Sequence, residues 1–81
     1  MRVYVTDDDI LNEKRGVAYN DPIARAIRRA IGRYKSVAVG ARTLEIDAKD
    51  YPLSEVVRQF VNAFDRGLPV YPIEFEIPYD I

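Results

Sequence analysis

Side-chain chemistry at neutral pH leans on histidine and cysteine, and this chain of 81 residues contains neither. The commonest general base and the commonest metal ligand are therefore missing, as is every disulfide and every thiolate zinc site. Carboxylates remain. Asp7, Asp8 and Asp9 follow one another, whereas a calcium loop alternates its ligands around a turn glycine and closes with a glutamate at the twelfth position. Capping and dipole compensation at a helix N-terminus account for all three. Glu45, Asp47 and Asp50 lie close enough to suggest an acid–base pair, but such pairs work in deep clefts, and turn chemistry explains Asp47 and Asp50. Ser36 and Ser54 have no histidine to activate them, and neither Lys35 nor Lys49 sits in a serine–lysine motif. Gly32, Gly40 and Gly67 fall at cap and turn positions and not in a phosphate-cradling loop. These residues predict a non-catalytic protein with no metal and no cofactor.

Charge is unevenly placed. The whole chain balances 12 basic against 13 acidic residues for a net charge of −1. Positions 21–35, however, carry Arg25, Arg28, Arg29, Arg33 and Lys35 against Asp21 alone. Arg25 and Arg29 are four apart and share a helix face, as do Arg29 and Arg33. Such a face can meet an acidic protein partner or nucleic-acid phosphates, or it can be a solvated face paired with the fold's own carboxylates. The near-neutral total argues against nucleic acid, since binders of it carry a domain-wide basic excess. Six tyrosines and no tryptophan add large, stiff, amphipathic side chains of the kind used at binding surfaces. Tyr34 adjoins the basic stretch, so Arg25, Arg28, Arg29, Arg33, Tyr34 and Lys35 form the candidate partner surface.

Those residues need elements to hold them. Val3 and Val5 alternate with Arg2 and Tyr4, the period of a strand. Thr6 and Asp9 have the spacing of a capping box, opening a short helix from Asp7 to about Lys14 with Ile10 and Leu11 inward. Gly16 ends it, and 17–20 read as a loop. Asp21-Pro22 starts a second helix, because Asp accepts from exposed N–H groups and Pro at the first position loses no hydrogen bond. Ile23, Ile27 and Ile31, with Ala26 and Ala30, make its apolar stripe, and Gly32 supplies the cap. Val37–Val39 and Leu44–Ile46 flank Gly40-Ala41, which predicts a two-residue type II′ hairpin pairing Val39 with Arg42 and Val37 with Leu44. Asp47-Ala48 reads as a second tight turn leading into 49–51. Leu53, Val56, Val57, Phe60, Val61 and Phe64 follow helical spacing, with Ser54 as N-cap and Gly67 at the far end. Ile73, Phe75 and Ile77 alternate with Glu74 and Glu76 as a last strand that Pro78 stops.

The pattern predicts one α+β domain over 1–81. It is a two-layer sandwich of two main helices on a mostly antiparallel sheet of about four strands, in the order β-α-α-β-β-α-β. Hydrophobic residues make up 48% of the chain, enough to build a core without staples. No apolar run reaches the length of a signal h-region or of a membrane span, so a cytoplasmic protein without a membrane partner is expected.

Several landmarks also coincide: Val5-Thr6 with Asp9-Ile10, Pro22-Ile23-Ala24 with Ala26-Ile27, and Ile46-Asp47 with Tyr51-Pro52-Leu53. Phe64-Asp65 with Gly67, then Val70, Pro72 and Phe75, complete the set. Their order and spacing resemble a loose group of small phage- and prophage-encoded proteins of unassigned function, across almost the whole chain. The shared residues are mostly apolar and speak to fold. That group commonly has a cysteine before the Pro-Ile-Ala stretch; Asp21 stands there in this chain, so a thiol-dependent role does not carry over. The resemblance implies an accessory protein of a mobile element, acting in the host cytoplasm. Combined with the residues above, it leads to the expectation of binding to a host or phage protein, as anti-CRISPR-like inhibitors of host enzymes or defence complexes do. A nucleic-acid binder using the Arg-rich helix 22–33 and a structural homo-oligomer are the alternatives.

Overall fold

Alternation near the start becomes strand β1 (Arg2–Tyr4), with Val3 buried between exposed Arg2 and Tyr4. The computed structural model describes residues 1–13, 20–32 and 35–79. Among these the order continues α1 (Asp7–Asn12), α2 (Pro22–Ile31), β2 (Val37–Val39), β3 (Thr43–Ile46), β4 (Lys49–Pro52), α3 (Glu55–Asp65) and β5 (Glu74–Glu76). The class is α+β, with antiparallel pairing throughout the described strands. Expected positions Gly16 and 17–19, and the end of the first helix at Lys14, lie outside the described residues.

The strands divide between two sheets where the pattern suggested one. β1 pairs with β5, and β2, β3 and β4 form a three-stranded meander. The physical reason lies at the second edge of β1, where the carbonyl of Tyr4 accepts a hydrogen bond of 2.8 Å from the Arg29 guanidinium. A side chain occupies the place where another strand would dock. On its paired side β1 is held by Val3 opposite Phe75, by Val5 N donating to Ile73 O at 2.8 Å and by Ile77 N donating to Met1 O at 2.9 Å. Arg2 forms ion pairs with Glu74 and Glu76 on the wet face, at 3.4 and 3.1 Å.

The first hairpin is present with its register moved. Val39 faces Leu44 and Val37 faces Ile46, and Gly40 N donates to Thr43 O at 2.8 Å. Ala41-Arg42 is thus the connection, and neither residue has positive φ, so the turn is not type II′. A shift of two positions keeps every side chain on its face, and Val37, Val39, Leu44 and Ile46 are all buried. The second turn is as expected: Asp47 and Ala48 take φ of 49° and 68°, the two left-handed residues of a type I′ turn. For Ala48 that conformation costs on the order of 1 kcal/mol.

Both long helices are capped as their sequences suggest, with one difference. The Asp21 carboxylate accepts from Ile23 N at 2.6 Å, and Gly32 (φ 124°) donates its N–H to Arg28 O. Ser54 occupies the N-cap of α3 but makes no side-chain cap bond. At the other end Gly67 N donates to Phe64 O and Leu68 N to Ala63 O, the paired bonds of a Schellman motif. Val57, Phe60, Val61 and Phe64 face inward, whereas Val56 is exposed; it stands at the margin of a stripe that four neighbours already fill. The apolar faces of α2, α3 and both sheets meet in one core that includes Val3, Ile23, Ile27, Leu44, Ile46, Phe60 and Phe75.

The Phe60 and Phe64 rings stack with centroids 6.4 Å apart. Removing the first leaves a cavity beneath the second, so Phe60→Ala should destabilise by about 3–5 kcal/mol. That rivals the low end of native stability, about 5 kcal/mol. Thermal circular dichroism should show a largely unfolded variant at 37 °C.

Candidate functional site

The basic helix face is built around a carboxylate on another element. Thr6 and Asp9 form the capping box of α1: Thr6 Oγ1 accepts from Asp9 N at 3.3 Å, and Asp9 Oδ2 accepts from Thr6 N at 2.9 Å. The same carboxylate, with no exposed surface, receives both terminal nitrogens of Arg29 at 2.7 and 2.8 Å. Arg25 Nε lies 3.2 Å from Asp9 Oδ1, and Arg25 Nη1 lies 3.6 Å from Glu13. Burial alone would push the Asp9 carboxyl up. The Arg29 hydrogen bonds, the Thr6 donors and the Arg29 charge outweigh it and hold the group below the usual carboxylate range. The Asp9 hydrogen bond in turn raises Arg29, so both stay ionised.

The residues of the expected partner surface are therefore placed as follows. Arg25 and Arg29 hold internal carboxylates. Arg28 is half-buried, its Nη1 at 3.5 Å from Val37 O. Lys35 pairs with Asp47 at 3.3 Å, and Asp47 also accepts from Ser36 N at 3.1 Å. Arg33 and Tyr34 lie outside the described residues. Of the tyrosines, Tyr4 and Tyr71 are exposed, while Tyr51 and Tyr79 meet edge to face at 6.1 Å. Tyr19 is outside the described residues.

Inward-facing Leu11 is corrected: it is 79% exposed, and Ile10 only half-buried. A six-residue helix shows the core little more than one side chain, and the Arg29 pair turns Asp9 to that side. Leu11 becomes one lip of a groove of about 690 Å³ whose wall includes Ile10, Glu13, Phe64, Gly67, Leu68, Pro69 and Val70. Leu68, 48% exposed, is the opposite lip. Two further depressions are smaller. One of about 460 Å³ runs from Tyr4 to Asp7 beside Pro72–Glu74. The other, of about 380 Å³, is a polar one between Ala41-Arg42 and α3.

Asp21, the N-cap of α2, is the second buried carboxylate. Its burial pushes the carboxyl up to about 6; backbone donors Ile23 and Ala24 oppose this, and the charges of Asp65 and Glu13 add to it. Sequence reasoning identified Asp21 as a cap and Asp9 as a capping-box member but missed that both are buried. The available signal was the i, i+4 pair Arg25 and Arg29, which can converge on one carboxylate. The groove had no signal, because a single leucine on a short helix and another after a glycine have no period. Among the described residues, no three acidic side chains form a metal-holding group, and no helix is long and apolar enough to cross a membrane. Compared with protein-family models, curated proteins and solved structures, the chain matches none.

Arg29→Ala leaves Asp9 buried with a weaker partner. Losing one side of a buried pair costs about 3–5 kcal/mol, and roughly 2–3 kcal/mol is expected here because the Arg29 side chain is 48% exposed to screening solvent. Urea unfolding at pH 7 should show it. In wild type the Asp9 contribution is present above about pH 4 and is lost as pH falls through the depressed folded value.

Asp21 has the opposite sign. Its folded pKa of about 6 exceeds the unfolded value of about 4, so the folded chain binds the proton more tightly. Stability from this group is full below about pH 4 and declines as pH rises towards 6. Asp21→Asn, which keeps an acceptor for Ile23 N, should flatten that decline. It should also be the more stable protein at pH 7, by about 2 kcal/mol, in urea titrations across pH 4–7.

Proposed function

We propose that this chain is a small, non-catalytic accessory protein of a phage or other mobile element that acts by protein–protein contact. Its partner is a host or phage protein, with inhibition of a host enzyme or defence complex, in the anti-CRISPR-like manner, as the physiological effect. The observation that carries the reading is the groove lined by Leu11 and Leu68, which brings together two of the three large aliphatic side chains exposed among the described residues. Paired exposed apolar groups around a concavity are costly for a monomer in water and mark contact sites. The resemblance to small phage-encoded proteins supports the accessory context.

The basic helix supports the same choice from the other side. A nucleic-acid surface needs guanidinium groups free to meet phosphates, and Arg25 and Arg29 are engaged by Asp9 and Glu13. Non-catalytic action fits the placement of the remaining polar groups. Glu45 and Asp50 face each other across β3 and β4, Asp50 standing in the strand and not in the turn expected of it, but Asp50 is exposed and neither lines any of the three depressions above; Asp47 holds a turn and Lys35.

The test is copurification from the native host with the tagged chain, followed by reconstitution of the identified protein with the purified chain. A defined-stoichiometry complex in sedimentation is expected. Random duplex DNA at physiological salt should bind more weakly than about 10 μM. Micromolar, salt-sensitive DNA binding that is lost in Arg28→Ala would replace this reading with the nucleic-acid one; Arg28 is the informative position, since changing Arg29 also exposes the fold to loss of Asp9. A chain that sediments only with copies of itself would make it a structural subunit.

A further inference from the structure

We infer that the connector between α3 and β5 is a preformed polyproline II segment that the protein partner grips in an aromatic-lined groove with a carboxylate at one end. The inference rests on the protein-binding reading and adds the chemistry of the partner's site. The connector reads Leu68-Pro69-Val70-Tyr71-Pro72-Ile73, with two prolines three apart. Proline fixes its own φ at about −65° and pushes the residue before it out of the helical region, so Leu68-Pro69 and Tyr71-Pro72 are both extended. No residue from 68 to 73 belongs to a helix or strand or has a positive φ. Residues 69–72 make no backbone hydrogen bond among the described residues, as in a polyproline II helix, which has three residues per turn and no internal bonds.

Burial follows that period of three. Val70 and Ile73 are half-buried against the core. Leu68 and Tyr71, 48% and 73% exposed, share a second edge, and Pro69 and Pro72, both exposed, share the third. A triangular rod resting one edge on its own core offers the other two to a partner, repeated at one turn of about 9 Å. Both ends are pinned. Leu68 N donates to Ala63 O at 2.9 Å, and Ile73 O accepts from Val5 N at 2.8 Å. A segment held extended by its own fold has already lost the freedom that binding would remove. Segments with this proline spacing dock in grooves lined by aromatic side chains.

The charge at the start of the segment sets its direction. Arg66, the C-cap of α3, is exposed and precedes Pro69 by three residues. Gly67, with φ of 76°, turns the chain there, so Arg66 flanks the rod and does not continue it. Arg66 makes no ion pair among the described residues. Glu74, beyond the other end, is already paired with Arg2 at 3.4 Å. A groove with a carboxylate beside the Arg66 end gains a charge-assisted contact and admits the segment in one orientation.

The test presents the whole chain to a panel of purified polyproline-binding domains. Each has a groove of parallel tyrosine and tryptophan side chains, and they differ in the acidic residues at its end. The chain has no tryptophan, so a change in tryptophan emission on titration reports the probe's groove alone. Saturable binding is expected for probes with an acidic groove end. Tyr71→Ala should weaken it at least about tenfold, a hot-spot-sized effect, and so should Pro69→Ala combined with Pro72→Ala. Arg66→Gln should weaken it about threefold and reduce its dependence on salt. Tyr71 and Arg66 are exposed enough that their replacement leaves the fold intact, which the thermal midpoint verifies. Absence of binding to every probe, preference for probes without the acidic end, or unchanged affinity for Tyr71→Ala would overturn the inference. A reconstituted complex with the native partner that survives Tyr71→Ala would also overturn it while leaving the protein-binding reading standing, whereas absence of any native partner removes that reading instead.

Discussion

One carboxylate organises this fold. Asp9 closes the capping box of α1, takes both terminal nitrogens of Arg29, and draws Arg25 in from the preceding turn of α2. Arg29 extends the link to the carbonyl of Tyr4 at the edge of β1. Three elements, two of which also share the apolar core, are thereby fixed relative to one another. A buried carboxylate is tolerable only when its lone pairs are answered, and Thr6, Arg25 and Arg29 answer them. The geometry therefore restricts these residues together: the charge at Asp9 needs Arg29, and the position of Arg29 decides that β1 stays in a two-stranded sheet.

The same interaction divides what the sequence made legible from what it concealed. Period and punctuation were sufficient for the strands and long helices. Ile23, Ile27 and Ile31 are spaced by four and buried, Asp21-Pro22 begins α2, and Phe75 turns inward between Glu74 and Glu76. Faces survived even where pairing did not, since moving the β2–β3 register by two leaves Val37 and Leu44 on the core side. Period does not report long-range polar pairing. Asp9 reads as one more acid at a helix start, and Arg29 as one more base on a wet face, until folding brings them to 2.7 Å. The sheet division and the exposure of Leu11 both follow from that contact, so both were beyond the reach of local pattern.

A chain with 12 basic and 13 acidic residues has its charges sorted in three ways. Some are internal, as at Asp9. Some are ladders on a wet sheet face, as where Arg2 meets Glu74 and Glu76. Others sit at helix ends, as Glu13 does at the C-cap of α1, 3.6 Å from Arg25. Counting charges along the sequence directs attention to the arginines of α2, whereas sorting them by their partners shows Arg25 and Arg29 already engaged by Asp9 and Glu13.

The pairing of β1 with β5 has a consequence for the order of assembly. The meander β2–β3–β4 is joined by two tight turns and can form by local search, and α3 follows it directly. Val3 and Phe75, in contrast, come from distant parts of the chain, and their contact waits on closure of a long loop whose entropy is lost before any contact repays it. Tyr4 meets Arg29 by a shorter closure, 25 residues apart in sequence. The folding nucleus is thus expected in the middle of the sequence, with the oldest-numbered residues joining late. A nascent chain holding β2 to α3 but lacking β5 keeps an open sheet edge at β1, which makes the interval before closure the step most exposed to misassociation.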